Sequence, residues 1–435
     1  MIAALYANVA RLGEPLIRLY LQRRVRRGRE DASRIGERFG IASRTRPDGA
    51  LVWLHAASIG EAFSVLRLIE RITASPARPH VLVTTGTVTS ARLLAGRLPE
   101  RAFHQFVPVD HPDWVRRFLG HWRPDLAILV ESEFWPTMMI ETHKRGIPMA
   151  LVNARISARS YRGWQRFPSL IRPLVESFAI ALAQDQDSAE RLTALGARKV
   201  VMAGNLKFAA GPLACDPNEL WVMGRLLGER PRWLAASTHE GEEAVIARAH
   251  MLLRERFAGI VTMIAPRHPH RGEAITRDLE QQGLVVSRRS AGDPIGPETD
   301  IYLADTLGEL GLLFRLASVV FVGGSLVPHG GQNPLEPARL GAAVLFGPHM
   351  ENFTAVAAEL LAAGAAFRAS DESGIEERVA HLLDDRDARD AAASAGFAIA
   401  TGKEGILDAV LSHLEPLLAA LPAPATSPAT SEMRP

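Results

Sequence analysis

The chain has 435 residues, 47% of them hydrophobic and 23% charged, a globular composition too long for one domain and incompatible with a largely disordered or fibrous protein. Fifty basic side chains stand against 48 acidic ones, so the formal net charge is only +2 and the overall field gives no reason to invoke nucleic acid. The single cysteine, Cys215, excludes an intrachain disulfide framework and fits a reducing compartment.

Residues 1–21 read as an amphipathic helix. Asn8, Arg11, Glu14 and Arg18 recur every three or four positions and share one face, while Ile2, Leu5, Tyr6, Val9, Leu12, Leu16, Leu19 and Tyr20 occupy the rest. Arg23, Arg24, Arg26, Arg27 and Arg29 follow directly, the arrangement of a segment on the cytoplasmic face of a membrane, lying in the interface or inserted. No basic stretch precedes the apolar run and no small-residue cleavage site follows it, so it is not a secretory signal. The plainer alternative is an ordinary helix packed on the domain behind it.

From residue 50 short apolar runs alternate with helix-length amphipathic stretches. The segments 51–57, 80–85, 125–131, 148–153, 178–184 and 199–204 read as buried strands. A break, AAGPLACDPNE (209–219), precedes a second set at 233–237, 260–266, 284–287, 300–305, 318–324 and 342–347. Repeated βα alternation predicts parallel sheets covered by helices on both faces. The expected organisation is a membrane-associated segment (1–30) followed by two Rossmann-like domains (31–210 and 211–420) facing each other across a cleft. The Pro/Ala/Ser/Thr-rich tail (421–435) is expected to be disordered. Several enzyme classes share this architecture. The first strand runs into HAASIGEAFS without a G-x-G-x-x-G fingerprint, which disfavours a dehydrogenase, and no Walker loop is present.

In chain order, HAASIGE (55–61) places Glu61 in the first helical turn after the first strand, facing the expected cleft. A carboxylate there suits a general base, although a helix-terminal Glu is also favoured by the macrodipole alone. ESEFWPTMM (131–139) puts Glu131 and Glu133 at the end of another strand, two residues apart and so aimed the same way if the strand continues, with Trp135 read as packing. Asp185 and Asp187 give a second acidic pair, but no histidine stands at ligand spacing, so no metal and no cofactor is expected. NARISARSYRGWQRF (153–167) spaces Arg155, Arg159, Arg162 and Arg166 as one basic stripe on a helix, in a window (142–175) with seven cations and no acid. A solvated face is the plain reading; an anionic ligand or head group is the functional one. GNLKFA (204–209) carries Lys207, one of only four lysines, suited to meeting a negative charge.

In the second half, STHEGEE (237–243) offers Ser237 and Thr238 at a helix start, and PRHPHR (266–271) places Arg267, His268 and Arg271 beyond a strand. DTLGEL (305–310) brings Thr306, Gly308, Glu309 and Leu310 to another helix start. GGSLVPHGGQNPLEPA (323–338) combines glycines that allow close backbone approach with a helix opening at Asn333, Pro334, Leu335 and Glu336, an arrangement suited to a phosphate and to ribose hydroxyls. A Gly-rich turn with a helix cap is the alternative.

Taken together, HAASIGE, ESEFWP, NARIS, GNLKF, PRHPHR, TLGEL and GGSLVPHGGQNPLEPA, in that order behind a basic N-terminal segment, resemble the bacterial 3-deoxy-D-manno-octulosonic acid (Kdo) transferases of lipopolysaccharide synthesis, over nearly the whole chain. The resemblance implies a GT-B fold and inverting transfer of Kdo from CMP-Kdo to the lipid A precursor lipid IVA at the bacterial inner membrane. It implies Glu61 as catalytic base, and Glu131 and Lys207 as transition-state or substrate-orienting groups. Donor-binding positions fall on Arg267, His268, Gly308, Glu309, Leu310 and the run Asn333, Pro334, Leu335, Glu336. Arg155 and Arg159 are the candidates for acceptor contact. Ala57, Ile59, Ser132 and Thr137 depart from the family's usual motif residues, which bears on acceptor preference rather than on the base. The competing readings are another GT-B transferase with a different nucleotide sugar and lipid acceptor, and a non-catalytic membrane-attached nucleotide-binding module.

Overall fold

The computed structural model describes residues 2–209, 211–403 and 405–423. They form two compact units, 2–209 with 405–423 and 211–403. The first holds a seven-stranded sheet of β1 (Leu51–His55), β2 (His80–Thr85), β3 (Ala102–Phe106), β4 (Leu126–Val130), β5 (Met149–Ala154), β6 (Phe178–Ala183) and β7 (Val200–Met202) in the order β3-β2-β1-β4-β5-β6-β7. The second holds β8 (Arg232–Thr238), β9 (Val261–Pro266), β10 (Val286–Arg288), β11 (Ile301–Leu303), β12 (Val319–Val322), β13 (Ala343–Phe346) and β14 (Ala366–Arg368) in the order β10-β11-β9-β8-β12-β13-β14. Every pairing is parallel. Each sheet is buried on both faces, with one apolar cluster above it and one below, which is why its central strands read as continuous hydrophobic runs. Both units are Rossmann-like, as the alternation predicted.

Two strands escape the sequence reading, β3 (AFHQF) and β14 (AFR), and both are sheet edges. Polar residues interrupt β3, yet His104 Nε2 bonds Thr85 Oγ1 at 2.9 Å and Gln105 Oε1 accepts the Trp122 indole N–H at 2.9 Å, while the buried Gln105 amide nitrogen has no partner among the described residues. The second domain was expected to run to residue 420. Instead the helix Gly405–Ala419 belongs to the first unit, where Leu407, Val410, Leu414 and Leu418 complete the core also built by Leu68 and Ile72, and Asp408 meets Arg71 at 3.0 Å. Residues 424–435 of the expected tail lie outside the described residues.

The N-terminal segment is two helices rather than one, Ile2–Leu12 and Glu14–Arg26, joined at Gly13 with Pro15 opening the second. Its polar face is the one that packs: Arg11 pairs with Asp113, Glu14 stands 3.5 Å from His111, and the Arg18 guanidinium covers the Phe39 and Trp114 rings. Its apolar face points outward, with Leu12 and Leu16 exposed by 84% and 72%. Among the described residues no helix is long and apolar enough to cross a membrane.

Candidate active site

Both sheets reverse their winding beside their first strand: β1 lies between β2 and β4, and β8 between β9 and β12. In open α/β sheets such a switch point, beyond the carboxyl ends of the strands, is where ligands bind. Part of the set singled out from sequence gathers at these two places.

In the first unit the turn leaving β1 carries Glu61. Ser58 caps the short helix Ile59–Ser64: its hydroxyl accepts the Glu61 N–H at 3.3 Å and donates to Glu61 Oε1 at 2.6 Å, while the Ala57 N–H reaches Oε2 at 2.9 Å. This reciprocal capping box fixes the carboxylate, which is only 7% exposed. Burial pushes the Glu61 carboxyl above its ordinary range. The Ser58 and Ala57 hydrogen bonds oppose that shift; nearby Glu131 adds to it and Lys207 offsets it.

The turn leaving β4 carries Glu131 in the left-handed region, at φ +59°. Such a backbone costs about 1–3 kcal/mol in a non-glycine residue, and it directs the side chain to Lys207, whose Nζ lies 2.9 Å from Glu131 Oε1. Lys207 is held through its backbone neighbours: Asn153, also left-handed at φ +54°, accepts the Leu206 N–H at 2.9 Å, and Asn205 accepts the Lys207 N–H at 3.0 Å. Because β4 stops at Val130, Glu131 and Glu133 sit in a turn, and the expected strand alternation does not apply to them. Glu133 instead accepts the Trp135 indole N–H at 2.6 Å, and burial, then Glu61 and Glu131, raise its carboxyl. Trp135, expected to be packed, is 38% exposed. Asp110 fixes the far side of this turn, taking the Thr137 and Met138 N–H groups at 3.0 and 2.8 Å at the start of the helix Pro136–Lys144. The Tyr6 hydroxyl stands near the same carboxylate and favours its ionised form, so the N-terminal helix reaches the support of the acidic turn.

In the second unit the ends of β8, β9 and β12 converge. Arg267 and His268 leave β9 exposed, with the Arg267 N–H on the Thr238 carbonyl at 2.9 Å. Asn333 closes the Gly-rich loop: its Oδ1 accepts the Leu335 N–H at 3.1 Å and its Nδ2 donates to Glu336 Oε1 at 3.2 Å. Pro334 and Leu335 are buried at the start of the five-residue helix Leu335–Arg339. Burial raises the Glu336 carboxyl, against the opposing pull of Asn333 and then of Arg267, so Arg267 and Glu336 share one field. Glu242, missed from sequence, organises this region. It is fully buried and takes four backbone N–H groups, from His239 (2.8 Å), Gly324 (2.6 Å), Ser325 (3.0 Å) and Leu326 (2.9 Å).

Other expected groupings are not assembled. Arg271 is committed to Glu243 by bonds of 2.8 and 3.1 Å. Glu309 is committed to Arg289 and to the Thr306 hydroxyl, and Arg289 also meets Glu219 at 2.9 Å and the Tyr302 hydroxyl at 3.0 Å. These bonds lower the Glu309 carboxyl, the Arg289 contact most, and leave Gly308, at φ +85°, and Leu310 flanking an already engaged side chain. The basic stripe is broken: the helix Ala158–Trp164 holds only Arg159 and Arg162, with Arg155 before it and Arg166 after it, all four exposed and without a carboxylate partner among the described residues. Acids just outside the counted window, Glu141 and Glu176, neutralise Lys144, Arg145 and Arg172. Asp185 caps a helix through the Ser188 N–H and Asp187 pairs with Arg191. Among the described residues no cluster of three or more His, Cys, Asp or Glu side chains is arranged for a metal ion.

Residues 33–210 match the family described as Glycos_transf_N, 3-deoxy-D-manno-octulosonic-acid transferase (kdotransferase). The 3-deoxy-D-manno-octulosonic acid transferase of Rickettsia bellii (strain RML369-C) is 33% identical over 363 residues, 83% of this chain and 86% of that one. Its counterpart from Bordetella pertussis is 35% identical over 416 residues, 92% and 96% of the two chains. Among solved structures, UDP-GlcNAc 2-epimerase from Neisseria meningitidis bound to UDP-GlcNAc has a TM-score of 0.57 at 14% identity, over 83% of this chain and 100% of that one, a likeness of fold alone.

Proposed function

Since the chain belongs to the 3-deoxy-D-manno-octulosonic acid transferases, glycosyltransferases of the GT-B kind, we propose that it moves Kdo from CMP-Kdo to lipid IVA with inversion, Glu61 being the general base. The observation that carries this reading is the acidic group at the first switch point, where Glu61 stands in the field of the Glu131–Lys207 ion pair. Glu61 takes the proton of a primary glucosamine hydroxyl, that oxygen attacks the anomeric carbon of Kdo, and the bond to CMP breaks with its electron pair leaving on the phosphate. A carboxyl raised by burial and held by two hydrogen bonds is both basic enough and oriented for that transfer. Lys207, pinned by Glu131, orients the acceptor or meets developing negative charge. Arg267 and His268, the turn Gly308–Leu310 and the segment Asn333–Glu336 hold the donor, with Arg267 facing the departing phosphate.

The acceptor reading extends to the membrane. The outward apolar face of the N-terminal helices, with exposed Arg23, Arg26, Arg27 and Arg29 lacking carboxylate partners among the described residues, suits an anionic bilayer surface on the cytoplasmic side of the inner membrane. The unpaired Arg155 and Arg159 suit the phosphates of lipid IVA. Mass spectrometry of lipid IVA after incubation with CMP-Kdo tests the proposal: the acceptor gains the mass of one or more Kdo residues. Transfer from a UDP-sugar with no transfer from CMP-Kdo would refute it.

A further inference from the structure

Three histidines converge at the second switch point. His239 follows the end of β8, His268 follows β9, and His329 lies in the loop after β12. The His239 and His329 rings stack with centroids 4.3 Å apart at 26°, and His268 meets His239 edge-on at 5.8 Å. The Gln332 amide nitrogen lies 3.2 Å from His239 Nε2.

The backbone is built to hold this group. Glu242 fixes the His239 N–H and the N–H groups of Gly324, Ser325 and Leu326 together, drawing the two loops onto one carboxylate. Ser237 adopts a left-handed backbone at φ +57°, and a Cβ on Gly324, itself at φ +67°, would stand 3.1 Å from the His239 ring. Ser237 lies at a register shift between β8 and β9, and the missing side chain of Gly324 leaves room for the imidazole and amide nitrogens to meet.

One cation there, Arg267, has no carboxylate partner among the described residues. Burial, then His329, His268, Arg267 and Arg271, push His239 down to about 4, so its ring is neutral at ordinary pH. Three buried or half-buried carboxylates nearby are engaged: Glu242 with four N–H groups, Glu243 with Arg271 and the Thr238 hydroxyl, Glu336 with the Asn333 amide. Glu240, next to His239 in the chain, is exposed and lies in the field of Arg271, which leaves Arg267, without an ion pair among the described residues, to meet an oxyanion beside the imidazole and amide nitrogens.

We propose that His239, His329 and Gln332, backed by Arg267, form an oxyanion subsite for a charged group of the donor, its phosphate or its sugar carboxylate. The assignment deepens the CMP-Kdo reading and rests on it.

The test measures the KM for CMP-Kdo and the Ki for CMP in the full-length wild type, His329→Ala and Gln332→Ala, with His239→Ala as the stronger perturbation. The His329 ring is exposed, so its loss leaves the fold intact. Each lost charge-assisted hydrogen bond contributes about 1.5–3 kcal/mol, so donor KM rises roughly tenfold or more with little change in kcat. A parallel rise in the Ki for CMP identifies the phosphate as the bound oxyanion; an unchanged Ki identifies the sugar carboxylate. KM and Ki both within about twofold of wild type in His329→Ala and Gln332→Ala overturn the subsite, whatever happens to His239→Ala. A wild type that never turns over CMP-Kdo refutes the donor reading instead. The subsite then stands or falls on inorganic phosphate, which shifts the His239 and His329 side-chain NMR resonances if it is right and leaves them unmoved if it is wrong.

Discussion

Glu242→Gln is a sharp perturbation because a single carboxylate serves four backbone donors in a fully buried position. Glutamine retains one oxygen and turns an NH2 group toward the other two N–H groups. A buried donor left without an acceptor costs about 1–3 kcal/mol, so two of them cost about 2–6 kcal/mol. Detachment of the loop 323–326 sets the upper limit, because local opening relieves the conflict without global unfolding. In a unit of 193 residues (211–403), each kcal/mol lowers Tm by about 2–4 °C, so calorimetry of the whole chain registers a fall of roughly 4–24 °C in one transition. The donor KM rises in step, because the same carboxylate holds His239 and the Gly-rich loop. A Tm within about 2 °C of wild type together with an unchanged donor KM would show that Glu242 does not pin this loop.

Ser58→Ala removes a hydrogen bond that favours ionised Glu61, so the carboxyl rises further and the acid limb of kcat/KM moves to higher pH. Rates below the limb fall about tenfold while the plateau above it is kept; a pH–rate profile with an equal loss at every pH contradicts this. Arg155→Glu with Arg159→Glu raises the KM for the lipid acceptor by about tenfold or more and leaves the donor KM alone; steady-state kinetics showing equal effects on both substrates contradict an acceptor role. Leu12→Glu with Leu16→Glu, on the outward face, lowers the partition coefficient onto anionic vesicles, measured by co-flotation, by about a hundredfold or more, each buried leucine contributing about 1.5–3 kcal/mol; undiminished flotation rules this face out as the membrane contact.

The central strands were legible because parallel sheets covered on both faces demand uninterrupted apolar runs, and all twelve expected strands are present. β3 and β14 were not: β14 is only three residues long, and in β3 His104 and Gln105 break the apolar run and find partners at Thr85 on β2 and at Trp122 on a helix, beyond the reach of local pattern. The helix Gly405–Ala419 carries an apolar stripe whose partner, the core holding Leu68 and Ile72, lies more than three hundred residues away in sequence. The Ser58–Glu61 capping box was written in the spacing S-x-x-E, and the Glu131–Lys207 pair was legible residue by residue but not as a pair. Glu242 looked like any acid at a helix start, and only the folded loop gives it four donors. Counting charge within a fixed window also misled, because Glu141 and Glu176 stand just beyond its ends.

The proposal turns on Glu61, and Glu61→Gln tests it with the least disturbance, since the amide keeps the side chain's shape and an oxygen for the Ser58–Ala57 cap. Product formation from CMP-Kdo and lipid IVA, followed by mass spectrometry and set beside CMP binding measured by calorimetry, is the decisive measurement. A general base contributes about 10²–10⁴-fold, so transfer falls by that factor while CMP binds as it does to the wild type. Transfer within about threefold of wild type would contradict the assignment of Glu61 as the base.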